Sequence, residues 1–145
     1  MHKHVELMEQ LKRHEGVETH VYRCSAGKYT IGVGRNIDPD GGIGLLENEI
    51  DILLHNDIIR CERELRANFK WYDDLDDPRQ DAMINICFNL GITRLLKFRK
   101  ALAHMKNEDY HMAALEFLDS RWAKQVGRRA TELAIQIQTG RYANA

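Results

Sequence analysis

The sequence predicts an α+β fold that is mainly helical, in which a small β-hairpin lobe is joined by a long helix to a larger all-helical lobe. Two runs rich in β-branched and aromatic residues, 19–23 and 28–34, flank Ser25-Ala26-Gly27, which is typical of a hairpin. Beyond residue 46 this pattern disappears, and apolar residues recur at steps of three and four. The 145 residues are 43% hydrophobic and 30% charged, as expected of one compact domain.

The first predicted element is a short amphipathic helix over residues 5–14. Val5, Met8 and Leu11 fall on one helical face, and Gly16 is a typical stop signal. Glu15 is therefore expected at the carboxyl end of this helix. After the hairpin, residues 36–42 concentrate the turn-forming residues and predict a loop.

The remaining elements are predicted to be helices. Residues 47–69 predict a long helix, and Asp77-Pro78 predicts an N-cap with proline at the first helical position of the next one. That helix is apolar nearly all round and ends at Gly91, which is typical of the buried centre of a helical lobe. Three further helices are expected over residues 93–106, 109–124 and 128–138.

This pattern suggests a division of the single domain, residues 1–145. We expect a β lobe over approximately 16–46, a connecting helix over 47–70 and a helical lobe over 71–145. The N-terminal helix, 4–15, is expected to pack on the helical lobe.

The charges of the chain are unevenly distributed. The formal net charge is −1, but residues 1–93 hold 11 basic and 17 acidic side chains, a balance of −6, whereas residues 94–145 hold 10 and 5, a balance of +5. The basic half favours attraction to an anionic polymer, either nucleic acid or an acidic cell-wall glycan, if its charges are not simply solvated helix faces. No apolar run predicts a membrane span, and the N-terminus does not resemble a secretory signal.

Neither the cysteines nor the histidines predict a metal site or a cofactor. The three cysteines lack CxxC spacing and fit a reducing compartment, and Cys61 and Cys87 fall on apolar helix faces where burial is expected. The histidines near the N-terminus do not form a set with zinc-ligand spacing; they are His2, His4, His14 and His20.

The stretch from residue 15 to residue 30 contains the residues best suited to chemistry. Glu15, Cys24 and Thr30 are separated by eight and then five residues, and a helix end that faces a hairpin leaves a groove. A carboxyl group beside apolar surface stays protonated at higher pH, as a general acid must. By themselves such residues are more often a solvent-exposed or salt-bridged glutamate, a small buried thiol and a threonine that is present for its β-propensity.

The motif around these residues resembles the phage-type lysozymes, the muramidases of glycoside hydrolase family 24. That family's pattern is a glutamate, eight residues, an aspartate or cysteine, five residues and a threonine. The resemblance continues through other segments and covers most of the chain: His14-Glu15-Gly16, Gly27-Lys28-Tyr29-Thr30-Ile31-Gly32-Val33-Gly34-Arg35-Asn36, Ile84-Asn85-Ile86-Cys87-Phe88-Asn89-Leu90-Gly91, Ser120-Arg121-Trp122 and Arg128-Arg129-Ala130.

The resemblance implies a lysozyme-like fold with the active site in a cleft between two lobes. It implies hydrolysis of the β-1,4 bond between N-acetylmuramic acid and N-acetylglucosamine in peptidoglycan. Glu15 would protonate the leaving oxygen, Thr30 would help to orient the attacking water, and Cys24 would occupy the second catalytic position. A free thiol is mostly neutral at pH 7, so either Arg23 or Arg35 lowers the pKa of Cys24, or Cys24 acts as a nucleophile or hydrogen-bonding group.

The same alignment implies further site residues. Arg129 would face Glu15 and tune its protonation. Phe88 and Asn89 would bind the glycan from the helical lobe and Asn36 from the hairpin, with Phe98 contributing to the groove. Core packing is the alternative for both phenylalanines, and helix capping is the alternative for Asn89.

Three other functions share some of these features. A lytic transglycosylase would cut the same bond but leave 1,6-anhydro ends, and Cys24 with His14 or His20 could serve a thiol amidase. A non-catalytic module that binds peptidoglycan or nucleic acid would explain only the basic half, and no nucleic-acid recognition motif supports it. We expect a monomer that uses no cofactor, binds glycan strands and is not inserted in the membrane. It would accumulate in the host cytoplasm and reach the periplasmic wall through a separate holin.

Overall fold

The computed structural model describes residues 4–143, and the chain divides into two compact units, Met1–Ile52 and Leu53–Ala145. Residue His2, considered above as a metal ligand, lies outside the described residues. The mainly helical α+β fold is confirmed. The expected lobes, and the packing of the first helix on the helical lobe, remain predictions.

The first unit contains a helix and a three-stranded antiparallel sheet. Helix α1 spans Val5–Glu15 and is followed by β1 (Glu18–Arg23), β2 (Tyr29–Gly32) and β3 (Arg35–Asn36), in the spatial order β1-β2-β3. The hairpin prediction is confirmed, and Glu15 is the last residue of α1, as expected.

The third strand was not predicted. The run 28–34 was expected to form one strand, but β2 ends at Gly32, and Gly32 and Gly34 adopt φ of +68° and +64°. These left-handed conformations, which suit glycine, turn the chain back so that Asn36 pairs with Thr30 and Arg35 with Ile31. Asn36 therefore belongs to the sheet as well as to the start of the loop.

Helix α2, Glu47–Asn68, matches the predicted long helix and runs from the first unit into the second. A 3-10 helix, Tyr72–Asp74, then leads to α3, Asp77–Leu90. The predicted cap of α3 is wrong by one residue, since the Asp76 carboxylate accepts the Arg79 N–H at 3.0 Å and Asp77 is already helical. Both aspartates satisfy the local preference, and only the hydrogen bond distinguishes them.

Two of the predicted C-terminal helices are each broken in two. The expected helix over 93–106 is α4 (Ile92–Leu95) and α5 (Arg99–Lys106), and the expected helix over 109–124 is α6 (Tyr110–Leu118) and α7 (Arg121–Val126). The second break occurs because Ser120 is extended and its hydroxyl accepts the Ala123 N–H, so that it caps a new helix. The last helix, α8 (Arg128–Thr139), agrees with its prediction.

The core of the second unit lies among α2, α3, α5, α6 and α8. Its fully buried side chains include Leu65, Met83, Phe117 and Ile137, and α3 buries five residues, as its apolar composition predicted. Within residues 4–143, no helix is both long enough and apolar enough to cross a bilayer.

Candidate active site

Glu15 stands at the carboxyl end of α1, and its side chain lies against the turn between β2 and β3. The preceding residues of the last helical turn, Lys12, Arg13 and His14, suit the negative end of the helix dipole, whereas an anionic Glu15 does not. The turn approaches closely enough that a Cβ atom on Gly34 would lie 2.7 Å from Oε2 of Glu15. The glutamate thus occupies a position that helix electrostatics disfavours, in contact with backbone.

Cys24 begins the tight turn of the β1–β2 hairpin. Its carbonyl accepts the Gly27 N–H at 2.8 Å, and its own N–H donates to the Lys28 carbonyl at 2.9 Å. Hydrogen bonds from the backbone N–H groups of Lys28 and Ala26 lower the pKa of the half-buried Cys24 thiol, and burial only partly opposes them. The turn therefore makes the Cys24 thiol more acidic than a free cysteine.

Thr30 is buried in β2 beside Cys24. Its hydroxyl donates to the Lys28 carbonyl at 2.9 Å, and its hydrogen bond with Cys24 also lowers the pKa of that thiol. A hydroxyl has one proton and two lone pairs, so rotation of this group lets it serve either partner. Two of the three residues that the sequence motif singled out therefore lie close together in the hairpin.

The expectation that Arg23 or Arg35 lowers the pKa of Cys24 is not supported, because both guanidinium groups have other partners. Arg23 lies 4.4 Å from the Tyr29 ring centre and donates to the Tyr29 hydroxyl at 2.6 Å. Arg35 forms a bidentate ion pair with Glu49, with both distances 2.8 Å. This pair ties β3 to the first turn of α2, a role that the sequence did not indicate.

Asn36 holds the loop that follows the sheet. Its side-chain oxygen accepts the Asp38 N–H at 2.9 Å, and its carbonyl accepts the N–H groups of Ile43 and Gly44. In the same loop, hydrogen bonds from the Tyr29 and Asp40 N–H groups lower the pKa of the Asp38 carboxyl. A structural role of Asn36 is thus visible, and its contact with substrate remains a prediction.

In the second unit, Phe88 and Arg129 line one cavity of about 390 Å³. Phe88 is 43% exposed, so core packing does not account for it. Arg129 donates through Nε to the side-chain oxygen of Asn85 at 2.9 Å, and Asn85 lines the same cavity. Sequence reasoning missed Asn85, although it lies within the α3 segment that carries the family resemblance.

Asn89 and Phe98 are held by one aromatic cluster. The buried Trp122 donates its indole N–H to the Asn89 side-chain oxygen at 2.7 Å, so Asn89 links α3 to α7. The Phe98 ring lies 5.6 Å from that of Phe117 and 6.4 Å from that of Trp122. Phe98 also lines a second cavity, of about 400 Å³, beside Lys97, Arg99 and Lys100. Packing is therefore at least part of the role of both residues.

The structure brings three potential metal ligands together in the second unit. The ligand atoms of Cys61, Glu64 and Cys87 lie within 4.8 Å of one another. Burial raises the pKa of both thiols, that of Cys87 to about 12, so both are protonated at neutral pH and their hydrogen bond packs within the core. The expected burial of these two cysteines is confirmed, and the absence of a metal remains a prediction.

His20, which a thiol amidase would need near Cys24, is hydrogen-bonded within its own strand. Its Nδ1 lies 2.9 Å from the hydroxyl oxygen of Thr19. This contact gives no support to a Cys–His catalytic pair.

The sequence matches the family model described as phage lysozyme over residues 12–137. The chain belongs to the phage lysozyme family. The matched range includes every residue assigned above to the site, and family membership makes the protein a glycoside hydrolase of the lysozyme, or muramidase, type.

Individual relatives are distant in sequence. "Probable T4-type lysozyme 2" of Dictyostelium discoideum is 26% identical over 92% of this chain and 94% of its own length. An "Endolysin" of Acyrthosiphon pisum secondary endosymbiont phage 1 is 29% identical over 82% and 80% of the two chains. The "Pre-baseplate central spike protein Gp5" of Enterobacteria phage T4 is 27% identical to this lysozyme. The match covers 92% of the lysozyme chain but only 28% of the length of the spike protein.

Proposed function

We propose that this lysozyme is an endolysin that hydrolyses the β-1,4 bond between N-acetylmuramic acid and N-acetylglucosamine in bacterial peptidoglycan, and so degrades the host wall for phage release. The observation that carries the proposal is the motif of Glu15, Cys24 and Thr30 within the family match, with Thr30 close enough to Cys24 to help lower the pKa of its thiol. An endolysin among the relatives supports the same assignment.

In the proposed reaction, Glu15 donates its proton to the glycosidic oxygen as the bond to the anomeric carbon breaks. Positive charge then develops on the sugar ring, and an anion on the second catalytic position stabilises it. The thiolate form of Cys24, whose thiol the hairpin turn makes more acidic, supplies this negative charge. Thr30 helps to orient the water that completes hydrolysis.

The role of the thiolate is linked to the stereochemistry of the product. A thiolate that attacks the anomeric carbon forms a covalent intermediate and leads to retention, whereas a thiolate that activates water leads to inversion. Anomer-resolved NMR of the first product distinguishes the two roles.

The remaining site assignments belong to the same proposal. Asn36, Phe88, Asn89 and Phe98 bind the glycan, and Arg129, oriented by Asn85, tunes the protonation of Glu15. We further propose a monomer that is made in the host cytoplasm and acts on the periplasmic wall after a holin permeabilises the membrane.

The test is mass spectrometry of peptidoglycan digested by the wild type and by Glu15→Gln. Loss of a general acid costs roughly 10²–10⁴-fold in rate, so the wild type should release reducing muramic acid ends and the variant almost none. Circular dichroism of the variant serves as the control for folding.

Three results would contradict the proposal in different ways. Products with 1,6-anhydro ends would identify a lytic transglycosylase. Binding to the wall without any release of fragments by the wild type would identify a non-catalytic module. Full activity of Glu15→Gln would remove Glu15 from the role of the acid.

A further inference from the structure

The turn between β2 and β3 is in contact with the side chain of Glu15. A Cβ atom at Gly34 would lie 2.7 Å from Oε2, 3.1 Å from Cδ and 3.2 Å from Cγ of this glutamate. Atoms at the first of these distances overlap, so the carboxyl group stands in the volume that any other residue at position 34 would fill. These three nearest atoms all belong to the outer half of the Glu15 side chain, so it is this part of the side chain that lies against the turn.

Gly32, two residues earlier, has nearly the same φ but no such neighbour. Its φ is +68°, against +64° for Gly34, so a side chain would be disfavoured by the backbone at both positions. A Cβ atom on Gly32, however, would meet nothing within 4 Å. A substitution at Gly32 therefore tests only the effect of a side chain on the backbone, whereas a substitution at Gly34 tests in addition the effect of filling the space beside Glu15.

We propose that Gly34 is a positioning residue for the acid: because it has no side chain, it leaves free the space that the Glu15 carboxyl group occupies when it donates its proton. This inference rests on the proposed function, in which Glu15 is the general acid. It adds that the backbone of the β2–β3 turn sets the position of the carboxyl group.

The consequences of a methyl group at position 34 differ for folding and for catalysis. The atoms it would meet belong to the far end of a flexible side chain, so Glu15 rotates away at little cost to stability. Proton donation, in contrast, requires the carboxyl group within about 2.6–3.2 Å of the glycosidic oxygen. A displacement of about 1 Å is enough to lower the rate by roughly 100-fold.

The experiment compares Gly34→Ala with Gly32→Ala in thermal unfolding and in steady-state hydrolysis of soluble peptidoglycan fragments. We expect both variants to lose similar stability. We expect kcat to fall by roughly 10- to 100-fold in Gly34→Ala with KM changed less than about twofold, while Gly32→Ala keeps kcat within about threefold. Equal kcat values, or an effect confined to KM, would overturn the inference.

A double substitution provides the rescue test. Aspartate is shorter by one methylene group, so its carboxyl group withdraws from the space above residue 34. Gly34→Ala should therefore reduce kcat by less than about threefold in a Glu15→Asp background, although it reduces kcat strongly in the wild type. Fully additive losses would show that the two positions act independently and would reject the inference.

If Gly34→Ala does not fold, asparagine replaces alanine at both positions, because asparagine tolerates left-handed backbone better and still carries a Cβ atom.

The activity of Glu15→Gln distinguishes failure of the proposed function from failure of the positioning role. An active Glu15→Gln rejects the assignment of the acid, whereas an inactive Glu15→Gln with matching Gly34 and Gly32 variants rejects only the positioning role.

Discussion

At the residue scale, the chemistry of Cys24 depends on backbone amides more than on charged side chains. The Lys28 and Ala26 N–H groups point at the thiol because the chain turns tightly from Cys24 to Gly27. Donors of this kind are fixed by the turn and lose little freedom when the thiolate forms. The residue proposed for the second catalytic position is therefore a weakly acidic thiol that its local fold makes more acidic.

Alkylation tests this account of Cys24. The lowered pKa of Cys24 enlarges its thiolate fraction at neutral pH, so iodoacetamide should inactivate the wild type. The rate of inactivation should rise with pH to a midpoint below about 8.5, the pKa of free cysteine. Peptide mapping should find Cys24 modified, while Cys61 and Cys87, 2% and 1% exposed with raised pKa values, remain free in the native protein.

Substitutions at the same residue complete the test. Cys24→Asp should keep substantial activity and resist iodoacetamide, because a carboxylate supplies the same negative charge without a thiol. Cys24→Ala should be far less active. Equal activities of these two variants, or an alkylation midpoint at or above 8.5, would reduce Cys24 to a structural residue.

At the element scale, the contact between Asn89 and Trp122 links α3 to α7. Trp122 is 3% exposed, so its indole N–H depends on the Asn89 oxygen for a partner at this depth. Trp122 of α7 also packs against Phe98, which precedes α5 and lies beside Lys97 and Lys100. Residues that the family resemblance assigns to the glycan thus also determine how the helices pack.

Asn89→Ala should destabilise the protein, since it leaves the buried indole N–H without its acceptor. The expected cost is about 1–3 kcal/mol of unfolding free energy. For a chain of this length it corresponds to a decrease of several degrees in Tm. Calorimetry of the purified variant measures it.

Asn89→Asp is the matched control, because it keeps an oxygen acceptor for the indole N–H while it replaces the amide donor with a charged carboxylate oxygen. It should retain most of the stability, and a higher KM in this variant would assign the amide to substrate binding. A large loss of stability in Asn89→Asp would contradict the hydrogen bond as the main contribution of this residue.

At the scale of the whole molecule, ion pairs among the described residues do not neutralise the basic side chains of residues 94–145. Among residues 4–143, the ion pairs between lysine or arginine and carboxylates lie in the acidic half of the chain, and none involves Lys97 or Lys100. Basic side chains without local partners attract a polyanion over roughly a Debye length. The basic half is therefore suited to an anionic cell wall.

Salt should weaken this attraction and Lys97→Glu/Lys100→Glu should reverse it locally. On intact cell walls we expect KM to rise with ionic strength in the wild type and to rise several-fold in the double variant at low salt, with kcat nearly constant. On peptidoglycan glycan fragments that are freed of peptide and whose lactyl carboxyl groups are methyl esters, the neutral control substrate, KM should respond weakly to both changes. An equal response on both substrates would exclude a charge-based effect.

The sequence by itself determined those features that depend on neighbouring residues or on a short motif. Helix periodicity predicted α2 and α8, the stop signal placed Glu15 at the end of α1, and apolar surroundings predicted the burial of Cys61 and Cys87. The spacing of Glu15, Cys24 and Thr30 was sufficient to indicate the phage lysozyme family, which the family match over residues 12–137 confirms. Each of these signals is local, so each is visible in a linear chain.

The tertiary structure decided what depends on contacts between distant positions. Arg129 and its partner Asn85 are 44 residues apart in the sequence, and Trp122 and its partner Asn89 are 33 residues apart. Gly34, in the turn between β2 and β3, lies against Glu15 at the end of α1. Such contacts leave no periodic trace in a single sequence, because the partner of each side chain is selected only when the elements pack.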